Sequence, residues 1–235
     1  MMEDIKYKDF WELIKFLDHN GLLDHVIVVG SWAEYLYAQS GTLDGFISNL
    51  RTLDIDLLIT NINKPSPNVN ITKIMHEIGY TIDEDRISGT TKIYTPGFME
   101  IEFLVTQRGS GIKSVLSTNL GVNAQAIRNL NILKDNCILV QVFDFNISVP
   151  LPEAYVIHKA IINKERLIKA EKDRDSIKNL LPYINKDTVL RIFEGLTKKT
   201  EESNYEFANR ISRNKHPLGN HLIIRLKAQL GLESH

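Results

Sequence analysis

Two carboxylates set in an otherwise apolar run, Asp54 and Asp56 within Arg51-Thr-Leu-Asp-Ile-Asp-Leu-Leu-Ile, constrain this chain more than any other feature. In a strand, successive side chains point to opposite faces, so the two acids share one face roughly 7 Å apart while Ile55 and Leu57 line the other. One face is acidic and the other belongs to a core. Like charges placed side by side repel, and a sheet gains nothing from presenting them unless a cation sits between them. Hard carboxylate oxygens suit Mg²⁺, which takes one or two protein carboxylates and completes its shell with waters and substrate phosphates. The alternative is a solvated edge strand whose two acids carry no chemistry.

Upstream, His25-Val-Ile-Val-Val-Gly-Ser-Trp-Ala-Glu-Tyr-Leu-Tyr predicts a buried strand, a Gly-Ser turn and a helix that turns Trp32, Tyr35 and Leu36 inward. Gly30 and Ser31 would open that helix, where unpaired N–H groups suit a phosphate and glycine lets the backbone approach closely. Ser31 as a plain N-cap is the competing reading. The stretch Ser40-Gly-Thr-Leu-Asp-Gly-Phe-Ile-Ser-Asn that follows reads as a loop.

Elsewhere in the first part, Phe10, Trp11, Leu13, Ile14 and Leu17 recur at helical spacing before Gly21. Asn61 to Asn68 reads as a loop, and Val69 to Ile78 as a helix ended by Gly79. Strands are expected at Tyr80-Thr-Ile-Asp and Thr91-Lys-Ile-Tyr-Thr, with Pro96-Gly97 turning the chain into Phe98-Met-Glu-Ile-Glu-Phe-Leu-Val as a hairpin returning beside the Asp54 strand. Glu100 and Glu102 alternate with Ile101 and Phe103 and so share a face. Thr106-Gln-Arg-Gly-Ser-Gly-Ile-Lys is a basic, glycine-bearing turn that either touches phosphate through its backbone and Lys113 or only redirects the chain. A helix near Ala124 to Leu130 and strands across Ile138 to Val149 complete residues 1–150.

Pro150-Leu-Pro-Glu marks a boundary, with Pro152 suited to open a helix, and residues 151–235 read as helical. Lys159, Arg166 and Asp173 are spaced seven apart and would align if one helix ran on through Asn163. An amphipathic helix from Lys186 to Thr200 follows. Residues 1–150 carry 12 basic and 18 acidic side chains and residues 151–235 carry 16 and 11, so the first part is acidic and the second basic. A basic surface of that kind could accept a polyanion such as tRNA.

The succession of strand, Gly-Ser, helix and Asp-x-Asp strand, with Gly30, Ser31, Asp54 and Asp56 as its markers, resembles the nucleotidyltransferase superfamily to which DNA polymerase beta belongs. The Arg51-Thr-Leu-Asp-Ile-Asp form, with Lys159 and Lys172-Asp173 further along, looks closest to the AbiEii-type toxins and related bacterial nucleotidyltransferases. The 22 residues between Ser31 and Asp54 make a longer spacer than is usual there, although both motifs stay on their elements. The resemblance implies an α/β catalytic domain over residues 1–150 with a mixed sheet, an α-helical domain over 151–235, and an active site in the cleft between them. It further implies two Mg²⁺ ions held by Asp54, Asp56 and a third carboxylate from a neighbouring strand, best matched by Glu102 in Ile101-Glu-Phe-Leu with Glu100 in reserve. Only one of these glutamates is expected level with the aspartate pair, and Glu102, flanked by Ile101 and Phe103, is the better fixed. Nucleotide contacts would come from Gly30, Ser31, Arg51, Thr52, Lys113 and Lys159.

The implied reaction is transfer of a nucleoside monophosphate from an NTP to a hydroxyl on RNA, protein or a small molecule, with a toxin-like role as one form of it. A module on the same fold that binds nucleotide or a toxin–antitoxin partner without turnover is the rival. A calcium-binding loop does not fit, because such loops set their acids in a polar turn. The single cysteine, Cys137, beside an apolar run, is expected in the core and excludes an intramolecular disulfide or a cysteine-based zinc site. With no basic leader followed by an apolar stretch and no run of about 18 apolar residues, a cytoplasmic protein without a membrane span is expected.

Overall fold

The computed structural model describes residues 7–50, 52–107, 114–162 and 170–196. Arg51, Lys113 and Arg166 lie outside the described residues, as does everything after residue 196. Residue contacts divide the chain into Met1–Leu151 and Pro152–His235.

In the first unit, helix α1 (Lys8–His19) buries Phe10, Trp11, Leu13, Ile14 and Leu17, the apolar stripe read from the sequence. Strand β1 (Val26–Val29) is buried at every residue, and helix α2 (Ser31–Gln39) follows it directly. Residues 40–50, 52 and 53 form no regular element, but Leu43, Phe46 and Leu50 are buried. Strand β2 (Asp54–Ile59) carries the Asp-x-Asp motif, with Ile55, Leu57 and Leu58 fully buried and the acids half-buried. Then come α3 (Ile71–Glu77), β3 (Thr81–Glu84), β4 (Thr91–Tyr94), β5 (Glu100–Thr106), β6 (Val115–Ser117), β7 (Asn123–Ile127), α4 (Asn131–Asp135), β8 (Cys137–Val142) and β9 (Phe145–Pro150).

The mixed sheet runs β1-β2-β5-β4-β3, and β7 pairs with both β5 and β6. β1 is antiparallel to β2, whereas β2 and β5 are parallel. β8 and β9 form a separate antiparallel pair. Ile27, Val29, Leu58, Leu104, Leu130 and Leu133 gather into one buried cluster, each side chain contributing about 1.5–3 kcal/mol by leaving water. Phe10 of α1 stacks on Trp32 of α2 with ring centroids 4.0 Å apart and planes within 9°, which fixes the two helices against each other.

Two expectations are corrected here. The helix expected near Ala124 to Leu130 is strand β7 at Asn123–Ile127, with only the short α4 after it. Helix-favouring alanine and glutamine give way to the pairing that β5 and β6 offer on either side. Cys137 is exposed rather than core, because β8 alternates and Val140 and Val142 occupy its covered side.

The second unit holds α5 (Pro152–Ile162), α6 (Ala170–Leu180) and a helix over 186–196. Pro152 opens α5, where its missing N–H costs nothing. Glu153 Oε1 accepts the Asn185 N–H at 2.8 Å, and Leu180, Val189 and Ile192 are buried. The expectation of one helix running on through Asn163 falls on residues 163–169, outside the described residues; what the described residues show is Lys159 Nζ of α5 lying 2.8 Å from Asp173 Oδ1 of α6. Among the described residues no helix is long and apolar enough to cross a membrane.

Candidate active site

Strands β2 and β5 bring four carboxylates to one face. Their parallel register sets Asp54 against Glu100 and Asp56 against Glu102, while Ile55 and Ile101, then Leu57 and Phe103, pair on the buried side. The expectation that only one glutamate lies level with the aspartates is therefore corrected: each aspartate has its own. Glu100 is fixed as well as Glu102 is expected to be. Its N–H donates to Leu53 O at 3.0 Å, and the turn before it is clamped by Asp9 of α1, whose Oδ2 accepts from Thr95 Oγ1 and from the Gly97 N–H.

Strand β4 adds a cation that the sequence reading did not single out. Lys92 stands opposite Glu102 in the β4–β5 register, yet its Nζ reaches Glu100 Oε1 at 2.6 Å. The bond to Glu100, outweighing partial burial, raises the Lys92 pKa above its ordinary value, and the charge of Glu102 adds to the rise. The signal was present in Thr91-Lys-Ile-Tyr, since a lysine beside the inward Ile93 must share the acidic face once β4 pairs with β5.

Gly30 joins the helix to this face. Its φ of 66° and ψ of −153° belong to a region only glycine occupies readily, and a Cβ there would fall on Asp56 Oδ2 and lie 3.2 Å from its Cγ. The bare backbone is what lets the Asp56 carboxylate sit against the β1–α2 turn. Gly30, not Ser31, occupies the cap position, no side chain caps the helix, and Ser31 is its first residue, which corrects the N-cap reading. Two bonds align the start of β2: Trp32 Nε1 donates to Asp54 O at 2.9 Å, and the Asp54 N–H reaches Thr52 Oγ1 at 3.3 Å.

The donor set on this face is all oxygen, half-buried and in register, which is the chemistry Mg²⁺ takes. Among the described residues no three acidic, histidine or cysteine side chains are gathered closely enough to enclose an ion. An open site does not need such a cage, because Mg²⁺ uses one or two carboxylates and fills the rest of its shell with water and phosphate. The residues present fit that kind of site. Lys159, in the second unit, is buried, bonded to Asp173, and has its Nζ 5.0 Å from the centroid of the Tyr155 ring.

A family model described as nucleotidyltransferase matches residues 8–194. No curated protein matches the chain by sequence. Among solved structures, the chain is similar to the antibiotic-resistance factor ANT(2'')-Ia at 12% identity and a TM-score of 0.51, the match covering 88% of this chain and 100% of that one. At that identity the likeness is one of fold. Lower-scoring matches are an antigenic nucleotidyltransferase-like protein from Paracoccidioides brasiliensis (14% identity, TM-score 0.42, covering 83% and 88%) and the lincomycin-bound lincosamide antibiotic adenylyltransferase LnuA (16%, 0.40, covering 74% and 94%).

Proposed function

The chain belongs to the nucleotidyltransferase family, and from that premise we propose that it transfers a nucleoside monophosphate from an NTP to a hydroxyl acceptor, with Asp54, Asp56 and Glu102 as its catalytic carboxylates. The observation that carries the reading is the meeting of the Gly30 backbone with the Asp56 carboxylate, itself in register with Glu102.

Bound between these oxygens, two Mg²⁺ ions would neutralise triphosphate charge and ease ionisation of the attacking hydroxyl. The protein's own part is positional. Asp54, Asp56 and Glu102 would hold those ions, and the N–H groups after Gly30 and Ser31 would donate to phosphate oxygens and so orient the triphosphate. Glu102 takes the hydroxyl proton. The acceptor oxygen then bonds to the α-phosphorus as the bond to the bridging oxygen breaks, and pyrophosphate leaves with that electron pair. Trp32 and Thr52 keep β2 from shifting along its axis. Arg51, Thr52, Lys113 and Lys159 complete the proposed nucleotide contacts.

The Arg51 to Asp56 form, with Lys159 and Lys172-Asp173, supports placing the chain nearest the AbiEii-type toxins, acting in the cytoplasm on RNA, protein or a small molecule. The basic surplus after residue 150 favours a polyanionic acceptor such as tRNA. Incubating the protein with each labelled triphosphate and Mg²⁺ against total RNA, protein lysate and hydroxylated small molecules tests both halves. Label in one pool names the acceptor, and no pyrophosphate release with any nucleotide refutes the activity. The last result would favour a binding module without turnover, a reading supported by carboxylates that are not drawn into a cluster and by a lysine already seated on one of them.

A further inference from the structure

Among the described residues of β2 to β5, five acids and one lysine share this face, because Asp83 of β3 pairs with Lys92 of β4 as Glu102 of β5 does, and the lysine has chosen one acid. Lys92 lies opposite Glu102 across β4 and β5 and opposite Asp83 across β3 and β4, so its backbone position offers it those two carboxylates. Its side chain instead runs along the strand to Glu100, where the 2.6 Å ion pair forms with both side chains roughly a quarter exposed, at 28% and 22%. Glu100 is in turn level with Asp54, so without a cation there the acids would stand as two adjacent like-charged pairs on neighbouring strands.

We infer that Lys92 is a positioning residue that selects the metal ligands: by seating its ammonium on Glu100 it withholds that carboxylate and leaves Asp54, Asp56 and Glu102 to bind a divalent cation. This rests on the reading of those three as metal ligands. A resident ammonium also offsets part of the repulsion while the site awaits its ion, and it opposes the binding of a divalent cation by like charge. The same pair explains why Glu100 and Glu102, equivalent by alternation and both level with an aspartate, need not be equivalent in function. Lys92 donates to a carboxylate, so the withheld ligand is fixed by a bond and not only by distance.

The test uses the full chain and Mn²⁺ or Mg²⁺ alone, without nucleotide. Lys92→Met should bind Mn²⁺ about two- to fivefold more tightly, the range expected for removing one partly screened charge. It should also melt lower than wild type in chelator and gain more on adding metal. Lys92→Arg should behave as wild type, and Lys92→Met/Glu100→Gln should return metal affinity and chelator melting towards wild type. In transfer assays Lys92→Met should lower kcat while reducing the Mg²⁺ needed for half-activation, a split that loss of packing would not give. If Lys92→Met leaves metal affinity unchanged while Asp56→Asn abolishes metal binding, Lys92 has no such role and the metal reading stands. If wild type binds no Mn²⁺ and Asp56→Asn changes nothing, the metal reading fails and this inference with it.

Discussion

Gly30→Ala isolates the junction of the β1–α2 turn with Asp56. The backbone there, at φ 66° and ψ −153°, is tolerated by glycine almost alone, and forcing a side chain into it costs about 1–3 kcal/mol. The added methyl would also land on Asp56 Oδ2 and sit 3.2 Å from Cγ, so the carboxylate must leave its rotamer, at roughly 0.5–1.5 kcal/mol more. Together about 2–4 kcal/mol is lost, and the melting temperature should fall by roughly 4–15 °C for a protein of this size. Activity should fall much further, because a displacement near 1 Å in a positioning group costs on the order of 100-fold. Gly21→Ala is the control. Gly21 has a similar φ of 64°, but nothing lies within 4 Å of a Cβ built there. It should lose ~1–2 kcal/mol and keep its transfer rate. Scanning calorimetry and pyrophosphate release, run on both variants, separate strain from displacement. A folded Gly30→Ala protein with the activity of Gly21→Ala would refute the idea that the bare backbone exists to seat Asp56.

Asp54→Asn and Asp56→Asn should each abolish transfer while the metal-free melting temperature holds or rises, since each relieves repulsion on the acidic face; retained transfer would refute the assignment. Trp32→Phe leaves the Asp54 carbonyl without its donor and should cost about 1–3 kcal/mol in denaturant titration, with kcat reduced more than nucleotide affinity. Lys159→Met removes the cation paired with buried Asp173 and should cost on the order of 3–5 kcal/mol, most of it regained in Lys159→Met/Asp173→Leu; a single variant as stable as wild type would show that the pair is open to water. Burial, with the charges of Glu12 and Asp9 adding to it, raises the Tyr80 pKa to about 12, so the folded state favours the neutral phenol; stability is complete below pH ~10 and declines as pH rises towards 12, readable as tyrosinate absorbance titrating late alongside a falling denaturation midpoint.

What the sequence made legible were features carried by a few neighbouring residues. The alternation of Asp54, Ile55, Asp56 and Leu57 is a property of any strand, and the α1 stripe is a property of any helix against a core. Features decided by a distant partner were not legible. β7 is a strand because β5 and β6 flank it, although its own residues lean towards helix. Cys137 is exposed because only one face of β8 is covered, and alternation alone does not say which. The ion pair of Lys159 with Asp173, and the reach of Lys92 past Glu102 to Glu100, depend on how two elements pack.

The candidate site itself is a consequence of strand direction. β1 runs antiparallel to β2, so the end of β1 meets the beginning of β2, and Val29, the last residue before Gly30, pairs with Asp56. β5 runs parallel to β2, so its beginning meets the same end and delivers Glu100 and Glu102 beside Asp54 and Asp56. Reversing β5 over the same paired residues would set Leu104 opposite Asp54 in place of Glu100 and leave that aspartate facing an apolar neighbour. The hairpin sets that direction: β4 and β5 turn at Pro96-Gly97, and Asp9 of α1 holds the turn. Helix α1 also stacks Phe10 on Trp32, whose Nε1 holds Asp54 O. One N-terminal helix thus braces both acid-bearing strands, from the turn that starts β5 and from the tryptophan that anchors β2. Loss of the Phe10–Trp32 stack should therefore disturb the spacing of the four carboxylates even though Phe10 touches none of them.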